Sequence, residues 1–231
     1  MKQIIQNARS GKLKVENVPA PRADKGEILV QTHASLISAG TERMVVNFAK
    51  KNLISKANGR PDLVKKVLNK ARTDGIKTTI NAVMARLDNP IPLGYSAAGT
   101  VISVGPELEG NFQVGQRVAI AGAGIANHSE INAVPANLAV QIPEGVSDDD
   151  AAFGTMGAIA LHAVRNLDSK LGEVVAIFGA GIIGQIAIQL LSLSGVRVIV
   201  LDYDEARLKL AQKSGAEKCY NLAADGIKTN I

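Results

Sequence analysis

Short apolar runs alternate with turn residues through the first part of the chain. Lys12-Leu-Lys-Val-Glu-Asn-Val18 is followed by a turn-rich stretch from Pro19 to Gly26, and then by Glu27-Ile-Leu-Val-Gln31. The same texture returns at Ala97–Val104 and Gln116–Ile120, each bounded by glycine or proline. Many short strands with frequent turn signals predict a compact, barrel-like β domain. Between its strands the period changes. Met44, Val45, Phe48, Ala49 and Leu53 fall at helical spacing, as do Leu63, Val64, Val67, Leu68 and Ala71. Pro61 suits a first helical position and Gly75 a stop. A helical insertion is therefore predicted at about 43–88.

From about Asp148 the pattern is different. A helical stretch, Ala151–Asn166, leads to an apolar run, Val174–Phe178, then a glycine turn and a helix from Ile182 to Ser194. A strand Val196–Leu201, a helix Asp204–Ser214 and a strand start near Lys218–Asn221 complete the series. Alternating strand and helix predict a parallel sheet with crossover helices. The predicted organisation is a β domain over 1–147 and an α/β nucleotide-binding domain over 148–231. Such a doubly wound sheet has about six strands, so the second domain is expected to be incomplete and the chain a fragment.

Charge sharpens this picture at one place. The formal net charge is +5, yet from Arg43 to Asp88 eleven Lys and Arg face three Asp. That basic block suits an acidic or phosphorylated small molecule, or a partner surface, and its lysines 65, 66 and 70 lie off the apolar stripe. Phe48 is the one aromatic in it and the chain has no Trp, so a stacking platform is lacking and nucleic-acid binding is not expected. The uncharged stretch between Glu173 and Arg197 is long enough to suggest a membrane span, but glycines and two glutamines interrupt it. No signal peptide opens the chain, and a single Cys219 excludes an intramolecular disulfide; a cytoplasmic address is expected.

The strongest motif is Gly179-Ala-Gly181-Ile-Ile-Gly184, which follows a predicted strand and opens a long apolar helix. In that context Gly179 allows a tight turn, Gly181 lets backbone approach a pyrophosphate, and Gly184 lets helix and strand pack closely. The N–H groups of Ile182 and Ile183 at the helix start favour an anion. Asp202 ends the next strand, where a carboxylate accepts ribose hydroxyls and repels a 2′-phosphate, so NAD is favoured over NADP. Arg207, one helical turn on, is placed to brace the ribose. Gly122-Ala-Gly124-Ile-Ala-Asn127 begins in the same way but lacks the third glycine, and is read as a loop.

Taken with Ser38-Ala-Gly-Thr-Glu42, Pro92-Leu-Gly-Tyr-Ser-Ala-Ala-Gly-Thr-Val101, Phe112-Gln-Val-Gly-Gln-Arg-Val118 and Ile142-Pro-Glu-Gly-Val-Ser147, the chain resembles the medium-chain dehydrogenase/reductase superfamily. The resemblance spans essentially the whole sequence. It implies a GroES-like barrel followed by a Rossmann domain, and hydride transfer with a nicotinamide cofactor. The insertion and the Ser-Ala-Gly-Thr-Glu phrase are similar to a bacterial subgroup of two-part oxidoreductases associated with carbohydrate chemistry. This implies a carbohydrate-derived substrate and a fused or partner dehydrogenase domain, with a homo-oligomer as the complete form.

Where zinc-dependent members place a cysteine this chain has Ala39, and where they place a His-Glu pair it has Tyr95-Ser96. The third ligand position falls near Gly154. His33, His128 and His162 are scattered and are read as ordinary hydrogen-bonded residues, so no metal is expected. By the resemblance, Thr41 stands where relatives relay a proton, Tyr95 replaces a ligand, and Ser96 adjoins it. Their hydroxyls are the candidates to polarise a carbonyl. Thr155 falls beside the nicotinamide in that family. The expected activity is zinc-independent NAD-linked oxidoreduction of a carbonyl, secondary alcohol or activated double bond. A non-catalytic dinucleotide-binding module and an inactive truncated remnant are the alternatives.

Overall fold

The computed structural model describes residues 1–7, 10–43, 65, 69, 73, 75, 78, 90–108 and 110–223. The basic insertion read at 43–88 lies, apart from single positions, outside the described residues. The chain divides into two compact units, Met1–Ala152 and Phe153–Ile231.

Alternating side chains build the first unit. Strands β1 (Lys2–Asn7), β2 (Leu13–Asn17) and β4 (Pro90–Pro92) form an antiparallel sheet in the order β2-β1-β4. A second, five-stranded antiparallel sheet runs β7-β3-β5-β6-β8, from β3 (Glu27–Ser35), β5 (Ser96–Val104), β6 (Arg117–Ala121), β7 (Ile131–Pro135) and β8 (Ala139–Gln141). Register shifts between Leu29 and Val30 and between Thr32 and Ala34 curl it. Its inward residues, among them Ile28, Val30, Val101, Val118, Ile120 and Val134, make one core. Residues 122–126, the loop that mimics the glycine motif, form a turn closed by hydrogen bonds to the Gly122 carbonyl.

The unit ends with a short helix, α1 (Asp148–Ala151), capped by the Ser147 hydroxyl, which accepts the Asp150 N–H at 3.0 Å. Asp148 is a junction. Its Oδ1 accepts from Arg117 Nε and Nη2 at 3.0 and 2.7 Å, and its Oδ2 lies 2.9 Å from His33 Nδ1. Burial alone would raise its carboxyl, but the His33 and Arg117 bonds and the Arg117 charge outweigh that and lower it. A lowered folded value stabilises the fold fully above the ordinary carboxylate range, about 3.9, and the gain is lost as pH falls through the folded value. Urea unfolding at stepped pH should therefore show an acid limb that Arg117→Leu flattens. Identical limbs in the two proteins would refute this.

The second unit follows the 3.6-residue period. Helix α2 (Gly154–Leu167) precedes β9 (Val174–Phe178), α3 (Ile182–Leu193), β10 (Arg197–Asp202), α4 (Glu205–Lys213) and β11 (Lys218–Asn221). β10 pairs in parallel with β9 on one side and β11 on the other. Ile188 and Leu191 of α3, Val198 and Val200 of β10, and Leu208 and Ala211 of α4 share its core. On β9, Val174, Ala176 and Phe178 are exposed.

One predicted element divides. The helix read over Ala151–Asn166 is two helices, interrupted at Ala152 and Phe153. Ala152 is drawn into the first unit's core beside Ala98 and Ile142, and its carbonyl accepts the Ser96 hydroxyl at 2.6 Å. Among the described residues no helix is long and apolar enough to cross a membrane.

Candidate functional site

The glycine motif occupies the turn from β9 into α3. Gly179 takes a φ of +99° and donates its N–H to the Leu201 carbonyl at 2.8 Å, which joins the loop to the end of β10. α3 then begins at Ile182 with Gly181 as its cap. No side chain caps this helix and its first turn holds no acid. The first N–H groups of a helix have no intrahelical acceptor, so those of Ile182 and Ile183 suit an external anion. A Cβ on Gly181 would meet nothing within 4 Å, so the backbone there is open to a ligand. At Gly184 a Cβ would lie 2.1 Å from the Gly179 oxygen; helix and loop touch there. The loop therefore fits a dinucleotide pyrophosphate.

Behind the loop lies Asp202, at 8% exposure. Its Oδ2 accepts the Ala180 N–H at 2.6 Å and its Oδ1 the Asp204 N–H at 2.8 Å. Burial works to raise this carboxyl, but N–H groups of Ala180, Asp204 and Tyr203, with the Arg207 charge, hold it below the usual carboxylate range. Asp202 thus fastens the glycine loop. Arg207 is exposed and lies 3.6 Å from Asp204, its ion-pair partner. The sequence reading missed Gln185. Its side-chain amide donates to the Ala180 carbonyl at 3.2 Å and to the Arg207 carbonyl at 2.9 Å, tying the loop to α4. A glutamine immediately after the third glycine, in a helix without a charged residue, was the available signal. Thr155 lies in the first turn of α2, which packs on α3 in the same unit.

The hydroxyl candidates lie in the first unit. Residues 39–43 are helical, and Thr41 on that turn meets Tyr95, whose O–H approaches Thr41 Oγ1 at 3.5 Å. That distance is the outer edge of a hydrogen bond. Ser96 does not join them. It is buried and its hydroxyl donates to Ala152, so its O–H is engaged in holding α1 on β5.

Of the three histidines, His33 meets Asp148, and His162 lies 2.9 Å from the Asn166 amide one helical turn away. His128 is the one the sequence undervalued. It is buried, with Nδ1 2.9 Å from Ser35 Oγ and Nε2 3.2 Å from each oxygen of Glu42. A carboxylate only accepts, so Nε2 carries a proton. Among the described residues, no group of three His, Cys, Asp or Glu side chains is arranged to hold a metal ion. Cys219 donates to the Leu208 carbonyl at 3.5 Å, and burial, with the Glu205 charge, pushes its thiol up, away from reactivity.

No family model matches the chain. In sequence it is 31% identical over 166 residues to the L-threonine 3-dehydrogenase of Marinomonas sp., across 60% of this chain and 48% of that protein. The chain thus spans about half the length of the curated relatives it matches. Its fold superposes on the Escherichia coli quinone oxidoreductase complexed with NADPH with a TM-score of 0.73 at 19% identity, covering 96% of this chain and 58% of the other. The chain has the fold of the part of that protein it covers. A quinone oxidoreductase from Coxiella burnetii matches with a TM-score of 0.70 at 25% identity, over 96% of this chain and 62% of its own. The antiparallel first unit and parallel α/β second unit are thus those of the quinone oxidoreductase fold.

Proposed function

We propose that this chain forms part of an NAD-linked oxidoreductase that transfers hydride to or from a carbonyl, secondary alcohol or activated double bond without zinc. The observation that carries this reading is the uncapped start of α3 at Gly181, with the ionised Asp202 fastening the loop in front of it. Sequence similarity to a dehydrogenase and a fold shared with an NADPH-binding quinone oxidoreductase support the cofactor class. Ile182 and Ile183 would receive the pyrophosphate, and Asp202 with Arg207 the adenosine ribose. Thr155 would line the nicotinamide end. The nicotinamide supplies or accepts the hydride. This chain's part is to orient it and to offer a proton donor, for which the Thr41–Tyr95 hydroxyl pair is the candidate.

Zinc independence rests on the donor set: Ala39, Tyr95 and Ser96 stand where the resemblance places metal ligands. The substrate we propose is a small acidic or carbohydrate-derived molecule, and the complete protein a cytoplasmic homo-oligomer with a fused or partner dehydrogenase domain. The loose Thr41–Tyr95 contact favours one rival, a non-catalytic dinucleotide-binding module. Turnover lost in Tyr95→Phe or Thr41→Ala would exclude that rival.

The test is a fluorescence titration with NADH and with NADPH, before and after exhaustive treatment with a metal chelator. Saturable binding, tighter for NADH and unchanged by the chelator, is expected. Absence of saturable binding by either dinucleotide would end the reading, and loss of turnover on chelation would end its zinc-free form.

A further inference from the structure

We infer that His128 is the positioning residue of the Thr41–Tyr95 hydroxyl pair. It bonds through its imidazole to the turn carrying Thr41, and through its backbone to the segment carrying Tyr95.

The two hydroxyls come from distant parts of the chain and their mutual contact is too long to hold them. The turn bearing Thr41 is fixed at its ends. The Glu42 N–H donates to the Ser38 carbonyl at 2.9 Å, and the Ser38 N–H donates to Glu42 Oε1 at 3.0 Å. Glu42, the residue after Thr41, is thus the brace of that turn, and its carboxylate is held against His128 Nε2. The other side of His128 serves Tyr95. The His128 N–H donates to the Leu93 carbonyl at 2.7 Å. Gly94, at a φ of +98°, lies so close that a Cβ there would be 2.6 Å from the His128 nitrogen and 3.0 Å from Nδ1. Tyr95 is the next residue. Ser35, at the end of β3, receives or gives the remaining imidazole bond and fixes the ring plane.

Burial gives this arrangement its force. Glu42 and His128 have side chains 12% and 6% exposed. A carboxylate that loses its partner in such a place is costly to keep buried, so it turns out to water. Because Glu42 braces the turn, Thr41 moves with it. Displacement of a reacting group by about 1 Å costs roughly 100-fold in rate. The inference rests on the oxidoreductase reading only for its kinetic consequence; the structural consequence is independent of it.

The test compares His128→Gln with His128→Asn in the whole chain. The glutamine amide nitrogen reaches about as far from the backbone as Nε2, and the asparagine nitrogen about as far as Nδ1. Glutamine therefore keeps the Glu42 bond and asparagine keeps only that to Ser35. Two signals report without any substrate: hydrogen exchange at the Ser38 amide, and the ¹³Cζ resonance of Tyr95, assigned by its loss in Tyr95→Phe. In His128→Asn, Ser38 exchange should quicken by at least about tenfold and the Tyr95 signal should shift, with β3–β5 amides still protected as the control. His128→Gln should stay near the unmodified protein in both.

Once a substrate is found, His128→Asn should lower kcat roughly 100-fold with KM for the nicotinamide dinucleotide unchanged, and His128→Gln should restore most of it. Equal behaviour of the two variants, or an unmoved Ser38 amide in His128→Asn, would overturn the inference. Should His128→Asn lose the β3–β5 protection as well, Glu42→Ala, which removes the brace and strands no carboxylate, is read on the Tyr95 signal alone: a shift is expected, and an unmoved signal would overturn the inference. If the unmodified protein turns over nothing with NADH or NADPH, the oxidoreductase reading fails while the exchange and Tyr95 signals still decide the role of His128.

Discussion

Gly184→Ala is expected to remove measurable dinucleotide binding while leaving the first unit folded. The added methyl would sit 2.1 Å from the Gly179 oxygen and 3.2 Å from its carbonyl carbon. Neither atom can yield cheaply. The Gly179 N–H is bonded to Leu201, the Ala180 N–H to Asp202, and the Ala180 carbonyl to Gln185, so the loop is held from three sides. The helix must lift away instead, carrying the N–H groups of Ile182 and Ile183 with it. Overpacking of this kind costs about 1–3 kcal/mol, and the loss of the aligned N–H groups should weaken NADH binding by more than about 100-fold. Fluorescence titration beside urea unfolding measures both. Binding in Gly184→Ala within a few-fold of the unmodified protein would show that this loop is not the site.

Asp202 carries the second large effect, because substitution separates the loop fastening seen in the structure from the ribose role proposed for it. Asp202→Ala leaves the Ala180 and Asp204 N–H groups without their acceptor in a buried place. Lost hydrogen bonds to a charged group cost about 1.5–3 kcal/mol each, so unfolding of the second unit should shift strongly. Asp202→Asn keeps one carbonyl oxygen for the loop and removes the charge, so it should destabilise less and shift preference from NADH toward NADPH. Because the folded carboxyl is lowered, its contribution is present at neutral pH and lost as acid takes it through that value. That part of the acid limb should vanish in Asp202→Asn. An unchanged ratio of NADH to NADPH affinity in Asp202→Asn would remove Asp202 from cofactor selection and leave it the loop alone.

Much of the second unit was legible without coordinates. β9 lies over Val174–Phe178 as the apolar run predicts and β11 over Lys218–Asn221, and α3 starts at Ile182 after the glycine turn, with the extended Gly181 as its cap. These are local matters of period and glycine spacing. The break at Ala152 was not legible, since the periodicity runs through it and Ala152 packs with Ala98 and bonds Ser96, 56 residues earlier. Ser96 shows the same limit from the other side. Its neighbour Tyr95 meets Thr41, yet Ser96 on the alternate face of the strand is buried and bonded to Ala152.

What the sequence determined by itself was the order of textures, the glycine turn between strand and helix, and the acid at the end of the next strand. All follow from residues within one or two elements of each other, where backbone geometry leaves few choices. Tertiary structure alone decided what those residues touch. Asp202 became the fastening of the loop only when β10 was laid beside β9. His128 became significant only when the fold brought it to Glu42 across 86 residues and to Ser35 across 93. Contacts of that separation leave no periodic trace in a chain, because each partner obeys only the pattern of its own strand or turn.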